Sequence, residues 1–400
     1  MSKLTYMEKL LDGVQVEWKA LEKVADIYDS LHKTPQYNET GLNMIRVTDI
    51  KGGYVNLEQT LKVNDEVFAD FTKKYLPIKD DLVMSRVGSY GNVGIIPADN
   101  IACMGQNTVV IHPLINSKFI FYILGSNIGQ NFIERNVGGG NQKTLSLKSI
   151  KAIPIPIPCP DNPEKSLAIQ AEIVRILDAF TAMTAELTAE LTAELNMRKK
   201  QYNYYRDQLL SFEDGEVEWK ALGKIAEINT GQKPSEILDT EAEFDYINAG
   251  TTRSGYCALS NCEGDTVTTP SRGQGGIGFV GYQNKSFWLG SLCYKIRSID
   301  NKALINKYLF YILQSKNQLL LGLKKEGGVP AVNKSDLAKL EVPVPSIKKQ
   351  ECIVAILDKF DTLTCSIKEG LPREIELRQK QYEYYRDLLL SFPKSEEVTA

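Results

Sequence analysis

Residues 198–212 are RKKQYNYYRDQLLSF, and residues 378–392 are RQKQYEYYRDLLLSF, so 12 of 15 positions are identical at a constant offset of 180. The same offset, without a gap, aligns the apolar residues that follow Ile173 with those that follow Ile353. Apolar residues spaced three and four positions apart form one stripe along a helix. The sequence therefore predicts two long amphipathic helices that are copies of each other.

Shorter repeated segments frame two dissimilar regions. VEWKALEKVADI, which starts at residue 16, matches VEWKALGKIAEI, which starts at residue 217, at nine of twelve positions. FYIL occurs at residues 121 and 310, and IPIPIP at residue 153 corresponds to VPVP at residue 342. We therefore expect two variable domains and two conserved helical spacers, divided as residues 1–158, 159–212, 213–345 and 346–400.

The composition predicts a soluble, multidomain protein, because 43% of its 400 residues are hydrophobic and 24% are charged. No apolar run is long enough to span a membrane, and the first residues do not resemble a signal peptide, so we expect a cytoplasmic location. Seven cysteines without a CxxC pair argue against a disulfide framework. Cys257 and Cys262 have neither a histidine nor a second cysteine pair at zinc-site spacing, so a metal site would lack ligands.

Positive charge is concentrated in the variable regions, although the net charge of the chain is −3. Residues 85–151 carry six cations against two anions, and residues 270–339 carry eleven cations against three anions. A local excess of positive charge attracts phosphate groups. The distribution indicates nucleic-acid binding by both variable domains.

The first long helix is expected from about residue 166 to residue 211, and it contains TAELTAELTAEL at residues 184–195. Each four-residue unit adds about 6 Å of helix and turns it by about 400°, so the unit locally unwinds a supercoil. The second helix is expected from about residue 348 to residue 391. Gly370 and Pro372 predict a kink or a short break in its middle.

The sequence lacks a recognisable catalytic constellation. Gly276, Gly278 and Gly281 spell GxGxxG, but a strand-like segment follows them, which favours a glycine-rich hairpin over a dinucleotide site. No GxxxxGK[ST] motif occurs, and Asn162-Pro163 is followed by glutamate rather than by the residues of an amino-methyltransferase motif. We therefore expect no cofactor on this chain and no chemistry of its own.

Four polar, glycine-containing loops hold the candidate DNA-contacting residues. Arginine hydrogen bonds to guanine edges, asparagine and glutamine bond to adenine edges, and glycine lets a loop approach a groove. An ordinary solvated loop remains the alternative for any single residue. The candidates are Arg86, Ser89, Tyr90 and Asn92; Arg135, Asn141, Gln142 and Lys143; Ser271, Arg272 and Gln274; and Lys324, Lys325, Asn333 and Lys334.

The helical stripe supplies a second set of candidates, for contacts within the spacer or with a partner protein. Tyr202 and Tyr205 are expected to continue the buried stripe, and a structural role is favoured over base stacking. The members of this set are Leu187, Leu191, Leu195, Ile367, Leu371, Ile375, Tyr205 and Tyr385.

With these features the chain resembles the specificity subunit of type I restriction-modification enzymes, and the TAEL array is similar to that of the type IC subclass. The resemblance implies an α+β fold with two mixed α/β target recognition domains. Two long antiparallel coiled-coil helices would separate the domains in a circular, pseudo-twofold repeat. Each domain would recognise one half of a split site in double-stranded DNA, and TAEL copy number would set the gap between the halves.

The resemblance also implies partners. Two modification subunits would bind S-adenosylmethionine and methylate adenine at N6, and up to two restriction subunits would use ATP and Mg for translocation and cleavage. Two alternatives stay open at this point: a stand-alone bivalent DNA-binding protein, and a coiled-coil scaffold that does not bind DNA.

Overall fold

The computed structural model describes residues 10–393, except residues 12, 141, 214, 274, 326–328 and 366–369. The chain divides into two compact units: one joins residues 1–189 to residues 376–400, and the other is residues 190–375. Each unit therefore contains one variable domain, the first part of the long helix that follows it, and the last part of the other long helix.

The first variable domain contains a six-stranded sheet of order β2-β10-β7-β8-β5-β4 and a three-stranded sheet of order β6-β3-β9. Its strands are β1 (Val16–Ala20), β2 (Ala25–Asp29), β3 (Leu42–Ile45), β4 (Ile50–Lys51), β5 (Tyr54–Val55), β6 (Leu61–Val63), β7 (Leu82–Ser85), β8 (Val93–Ile95), β9 (Ala102–Met104), β10 (Thr108–Pro113), β11 (Val137–Gly138), β12 (Thr144–Leu145) and β13 (Pro154–Pro158). Its helices are α1 (Asp65–Thr72), α2 (Ser117–Gly125), α3 (Asn127–Asn136) and α4 (Leu147–Lys151), with 3₁₀ turns at Leu21–Lys23 and Val47–Asp49.

One continuous helix, α5 (Pro163–Leu209), follows the first domain and has 47 residues, or about 70 Å at ~1.5 Å per residue. It begins three residues before the predicted position. Asn162 caps it, because its side-chain oxygen accepts the backbone N–H of Lys165 at 3.0 Å, and Pro163 occupies the first turn, where its missing N–H has no cost. The Asn162-Pro163 pair is therefore a helix start.

The second variable domain contains a four-stranded sheet of order β15-β21-β18-β19 and a three-stranded sheet of order β17-β16-β20. Its strands are β14 (Glu218–Ala221), β15 (Ala226–Thr230), β16 (Phe244–Ile247), β17 (Tyr256–Cys257), β18 (Thr266–Pro270), β19 (Gly281–Gln283), β20 (Trp288–Leu289), β21 (Cys293–Ser298) and β22 (Glu341–Val344). Its helices are α6 (Leu222–Ile225), α7 (Asn306–Ser315), α8 (Asn317–Gly322) and α9 (Lys334–Leu337).

The second long helical segment is divided into α10 (Ile347–Cys365) and α11 (Leu371–Leu389). Gly370 has a φ of +85°, outside the right-handed helical region. A Cβ atom at this residue would lie 2.5 Å from the carbonyl oxygen of Thr362. The break predicted from Gly370 and Pro372 is confirmed.

The repeated VEWKA and IPIP segments pair with each other and close each domain. β1 pairs antiparallel with β13, and β14 pairs in the same way with β22, so that Trp18 lies opposite Pro156 and Trp219 opposite Pro343. The prolines of β13 occupy alternate positions. Their missing N–H groups therefore fall on the edge of the ribbon that has no partner strand.

Each hydrophobic core combines a variable domain with parts of both long helical segments. In the first unit, Ile173 and Leu177 of α5 pack in one cluster with Leu389 and Phe392. In the second unit, Tyr202 near the end of α5 packs in one cluster with Leu357 of α10. The fold class expected from the sequence, two mixed α/β domains with long conserved helices, is confirmed.

Candidate nucleic-acid interface

In the first domain, residues 86–92 form the hairpin loop between the antiparallel strands β7 and β8. Ser85 stabilises the loop, since its hydroxyl donates to the carbonyl oxygen of Ser89 and accepts the backbone N–H of Asn92, the latter at 3.1 Å. The side chains of Ser89 and Asn92 are exposed. The sequence thus produces a compact loop with a polar tip.

The second polar loop of this domain lies directly beside the first. Val87 forms a β-bridge with Thr144, and the backbone N–H of Leu145 donates to the carbonyl oxygen of Arg86 at 2.8 Å. Gly88 donates in the same way to Lys143 at 3.3 Å. The two loops, which are more than forty residues apart in the sequence, therefore form one surface.

Most candidate side chains on this surface are accessible. Gln142 and Lys143 are exposed in the second loop, whereas Tyr90 is half-buried and its hydroxyl donates to Glu134 at 3.3 Å. Arg135 is also exposed, but it lies in the last turn of α3 and not in a loop. Asn141 lies outside the described residues. The surface therefore offers cations and an amide, the groups that contact phosphates and base edges.

Arg86 differs from the other candidates because its guanidinium is already occupied. One nitrogen lies 2.6 Å from a carboxylate oxygen of Asp29, and another donates to the carbonyl oxygen of Leu145 at 3.2 Å. Only 12% of the Arg86 side chain is exposed. Its position fits a structural role, in which it joins the hairpin loop, the second loop and β2.

The second domain brings its two polar loops together in the same way. Residues 271–280 connect the antiparallel strands β18 and β19. Val332 donates its backbone N–H to the carbonyl oxygen of Ser271 at 2.9 Å, and Gly273 donates to Pro330 at 3.1 Å. The glycine-rich stretch is a hairpin connection, as predicted from the sequence.

The charged candidates of the second domain differ in whether their side chains form ion pairs or hydrogen bonds within the protein. Arg272 is exposed, and among the described residues its guanidinium has no ion pair or hydrogen bond. Lys325 forms an ion pair with Asp336 at 2.9 Å, and the hydrogen bond from Lys325 is the main reason that the pKa of Asp336 is lowered. Lys334 contacts the amide oxygen of Asn229 at 3.3 Å.

Three further candidates of this domain occupy different environments. Ser271 is buried, Asn333 is exposed and Lys324 is half-buried. Gln274 lies outside the described residues. Arg272 is therefore the candidate of this domain whose charge is most available to a ligand.

The sequence did not indicate the apolar part of this surface. Phe279, in the loop between β18 and β19, is 39% exposed, and so is Leu321 of α8. Gly278 lies so close to α8 that a Cβ atom there would be 2.6 Å from the Leu321 side chain. An exposed aromatic ring suits contact with nucleic-acid bases or sugars, but an isolated phenylalanine in a glycine-rich stretch gives no sequence signal.

The stripe residues of the long helices are half-buried. This is observed for Leu187, Leu191, Leu195, Leu371 and Ile375, whereas Ile367 lies outside the described residues.

The tyrosines near the helix ends differ from the expectation. Tyr202 is buried, but Tyr205 is 43% exposed, although its ring stacks on Phe360 at a centroid distance of 5.8 Å. Tyr385 has a similar environment: its ring is tilted against Phe180 at a centroid distance of 6.4 Å and is 45% exposed. The prediction that Tyr205 continues the buried stripe is wrong.

No group of three or more His, Cys, Asp or Glu side chains is arranged to hold a metal ion in the part of the chain that the structure describes. None of the described helices combines the length and hydropathy needed to cross a membrane.

The chain matches the model of the type I restriction modification DNA specificity domain twice, at residues 15–197 and 215–377. It belongs to this family. The type I restriction enzyme EcoR124I/EcoR124II specificity subunit of Escherichia coli is 39% identical over 440 aligned positions, which cover 100% of both chains. The EcoprrI specificity subunit of Escherichia coli is 35% identical and covers 92% of this chain and 93% of its own.

One solved chain, from a study of complex assembly and conformational transition of the type I restriction-modification system, has the same fold. Its TM-score is 0.64 at 16% identity, and the match covers 94% of this chain and 97% of that chain. The protein is thus a type I specificity subunit, a non-catalytic component whose family binds bipartite DNA sites and assembles with other subunits of the system.

Proposed function

We propose that residues 1–158 and 213–345 are the two target recognition domains, and that each binds one half of a split DNA site. The conserved spacers at residues 159–212 and 346–400 would then set the gap between the halves. One observation carries the proposal: each domain places two polar loops side by side at the end of a central hairpin. The loops differ in sequence between domains, as expected if the half-sites differ.

The exposed loop residues are proposed to contact DNA. Arg272, Asn92 and Gln142 have side chains suited to base edges, while Arg135, Lys143 and the second-domain lysines suit phosphates. Arg86 is assigned to loop organisation, because its charge is paired with Asp29. The remaining members of the proposed set are Ser89, Tyr90, Asn141, Ser271, Gln274, Lys324, Lys325, Asn333 and Lys334.

The TAEL array is proposed to act as the adjustable part of the spacer, as in the type IC subclass. It lies inside the uninterrupted helix α5, so each added or removed unit changes the helix length by about 6 Å. At ~3.4 Å per base pair, this corresponds to about one to two base pairs of gap.

The partners are proposed to supply the chemistry. Two modification subunits, each carrying S-adenosylmethionine, would bind the conserved helices, and Tyr205 and Tyr385 supply two matching half-exposed aromatic positions for this contact. Up to two restriction subunits would add ATP- and Mg-dependent cleavage. The complex would act in the bacterial cytoplasm.

The experiment that tests this function exchanges residues 217–345 for the second variable domain of another specificity subunit. The chimaera is assembled with the modification subunits, and the methylated sites in a randomised DNA library are sequenced. We expect one half-site to change while the other half-site and the gap stay the same. The reciprocal exchange of residues 16–158 is the control and should change the other half-site.

Two results would contradict the proposal. A change of both half-sites after one exchange would show that the domains do not act independently. Methylation that continues at the original complete site would show that residues 217–345 do not recognise DNA.

A further inference from the structure

Each variable domain contacts its long helix through a tyrosine, a lysine and a shared aspartate. In the first unit, the hydroxyl of Tyr122 donates to one carboxylate oxygen of Asp178 at 2.7 Å, and Lys118 lies 2.7 Å from the other oxygen. Tyr122 and Lys118 are four residues apart on α2, and therefore share one face of that helix. We call these residues the first junction triad.

The second unit repeats this arrangement. The hydroxyl of Tyr311 donates to Asp358 at 2.5 Å, and Lys307 lies 3.5 Å from the same carboxylate oxygen. Tyr311 and Lys307 are again four residues apart, on α7, and Asp358 is offset from Asp178 by the 180 residues that relate the two long helices. Lys307, Tyr311 and Asp358 form the second junction triad.

The tyrosines of both triads are suited to a directional contact. Tyr122 is 5% exposed and Tyr311 is fully buried, and burial is the largest cause of the raised pKa of each hydroxyl. Both hydroxyls therefore remain protonated donors at neutral pH. A hydrogen bond to a carboxylate fixes both distance and angle, unlike apolar packing alone.

Each domain is also hydrogen bonded to the other long helical segment in its unit. In the first unit, Asn127 of α3 donates its backbone N–H to a carboxylate oxygen of Asp387 on α11 at 3.1 Å. Thr181 of α5 also links the hydroxyls of Tyr122 and Tyr382, which lie 3.2 Å and 3.0 Å from its own hydroxyl. In the second unit, Tyr202 donates to Gln314 of α7 at 3.0 Å. The orientation of each domain is thus determined against two helices.

We propose that the junction triads are positioning elements that hold each recognition domain at a fixed angle on its spacer, and thereby restrict the gap that the subunit accepts. The inference rests on the proposed function, in which the spacer sets the gap. The triads do not contact DNA in this proposal. Weakening a triad lets its domain tilt on the helix, so sites with a gap one base pair too long or too short become acceptable.

The test compares Tyr311→Phe with Tyr308→Phe in the complete complex with modification subunits. Both tyrosines are buried on α7. Tyr308, however, donates to the carbonyl oxygen of Pro343 at 3.1 Å, which lies in β22, the strand that pairs with β14 in the same domain. The measurement is the methylation rate on duplexes with the preferred gap and with gaps one base pair longer and shorter. Thermal unfolding is recorded for each variant.

For Tyr311→Phe we expect the preference for the correct gap to fall at least about tenfold, which is the lower end of the usual effect of one hydrogen bond to a charged group. The half-site sequences should not change. For Tyr308→Phe the gap preference should equal that of the wild type, even if its melting temperature is lower. Tyr122→Phe in the first domain should reproduce the loss of gap preference. If Tyr311→Phe does not fold, Tyr122→Phe takes its place in the experiment.

The proposal is overturned if Tyr311→Phe and Tyr122→Phe keep the wild-type gap preference, or if Tyr308→Phe loses as much of it. A wild-type complex without any preferred gap is a different result, because it contradicts the proposed function itself. The wild-type measurement in the same experiment therefore separates the two failures.

Discussion

Deleting residues 192–195 removes one TAEL unit and is expected to shorten the preferred gap by about one to two base pairs. The unit lies within the continuous helix α5, so the loss shortens that helix by about 6 Å and rotates the segments on either side by about 40° relative to each other. Leu187 and Leu191 stay four residues apart, and the amphipathic stripe is kept.

The assay is methylation of a duplex library in which both half-sites are constant and the gap varies by single base pairs. Insertion of a fourth TAEL unit should shift the optimum by the same amount in the opposite direction. A matched control keeps the length and replaces Thr192 and Glu194 by alanine, and its optimum should not move. An unchanged optimum after the deletion, or a changed half-site sequence, would refute the argument that helix length sets the gap.

Three substitutions test other parts of the account. Arg272→Ala should leave the free energy of unfolding unchanged and reduce discrimination at one base pair by about 1–3 kcal/mol, measured by binding to single-base variants of the site. Arg86→Ala should instead lower the free energy of unfolding in urea by about 1.5–3 kcal/mol, because a hydrogen-bonded charge is lost; equal stability would contradict its structural role. Gly370→Ala should cost more than about 1–2 kcal/mol of unfolding free energy, since the residue has a left-handed conformation and a Cβ atom there would also lie 2.5 Å from the carbonyl oxygen of Thr362; a neutral effect would contradict the observed break.

The long helices could be predicted from the sequence because their signals are local and periodic. The start of α5 was predicted within three residues, and the position of the break was predicted from Gly370 and Pro372. The hairpin nature of the GxGxxG stretch followed from the strand-like residues after it. In each case the deciding residues are close together in the sequence.

Other features depend on contacts between distant residues, which the pattern of one segment does not encode. The pairing of β1 with β13 joins residues more than 130 positions apart. The pairing of Arg86 with Asp29, 57 residues away, changed its expected role from base recognition to loop structure. The Tyr122–Asp178 contact was missed for the same reason, since an aspartate on an exposed-looking helical position is ordinarily a solvated residue.

Recognition of a split site with one fixed gap can be tested by long-read detection of N6-methyladenine in cells that carry this chain with its modification partner. We expect one bipartite motif: two different, separately defined half-sites with unspecified bases between them at a single gap length. A single contiguous motif, or two half-sites methylated at many different gaps, would contradict this expectation.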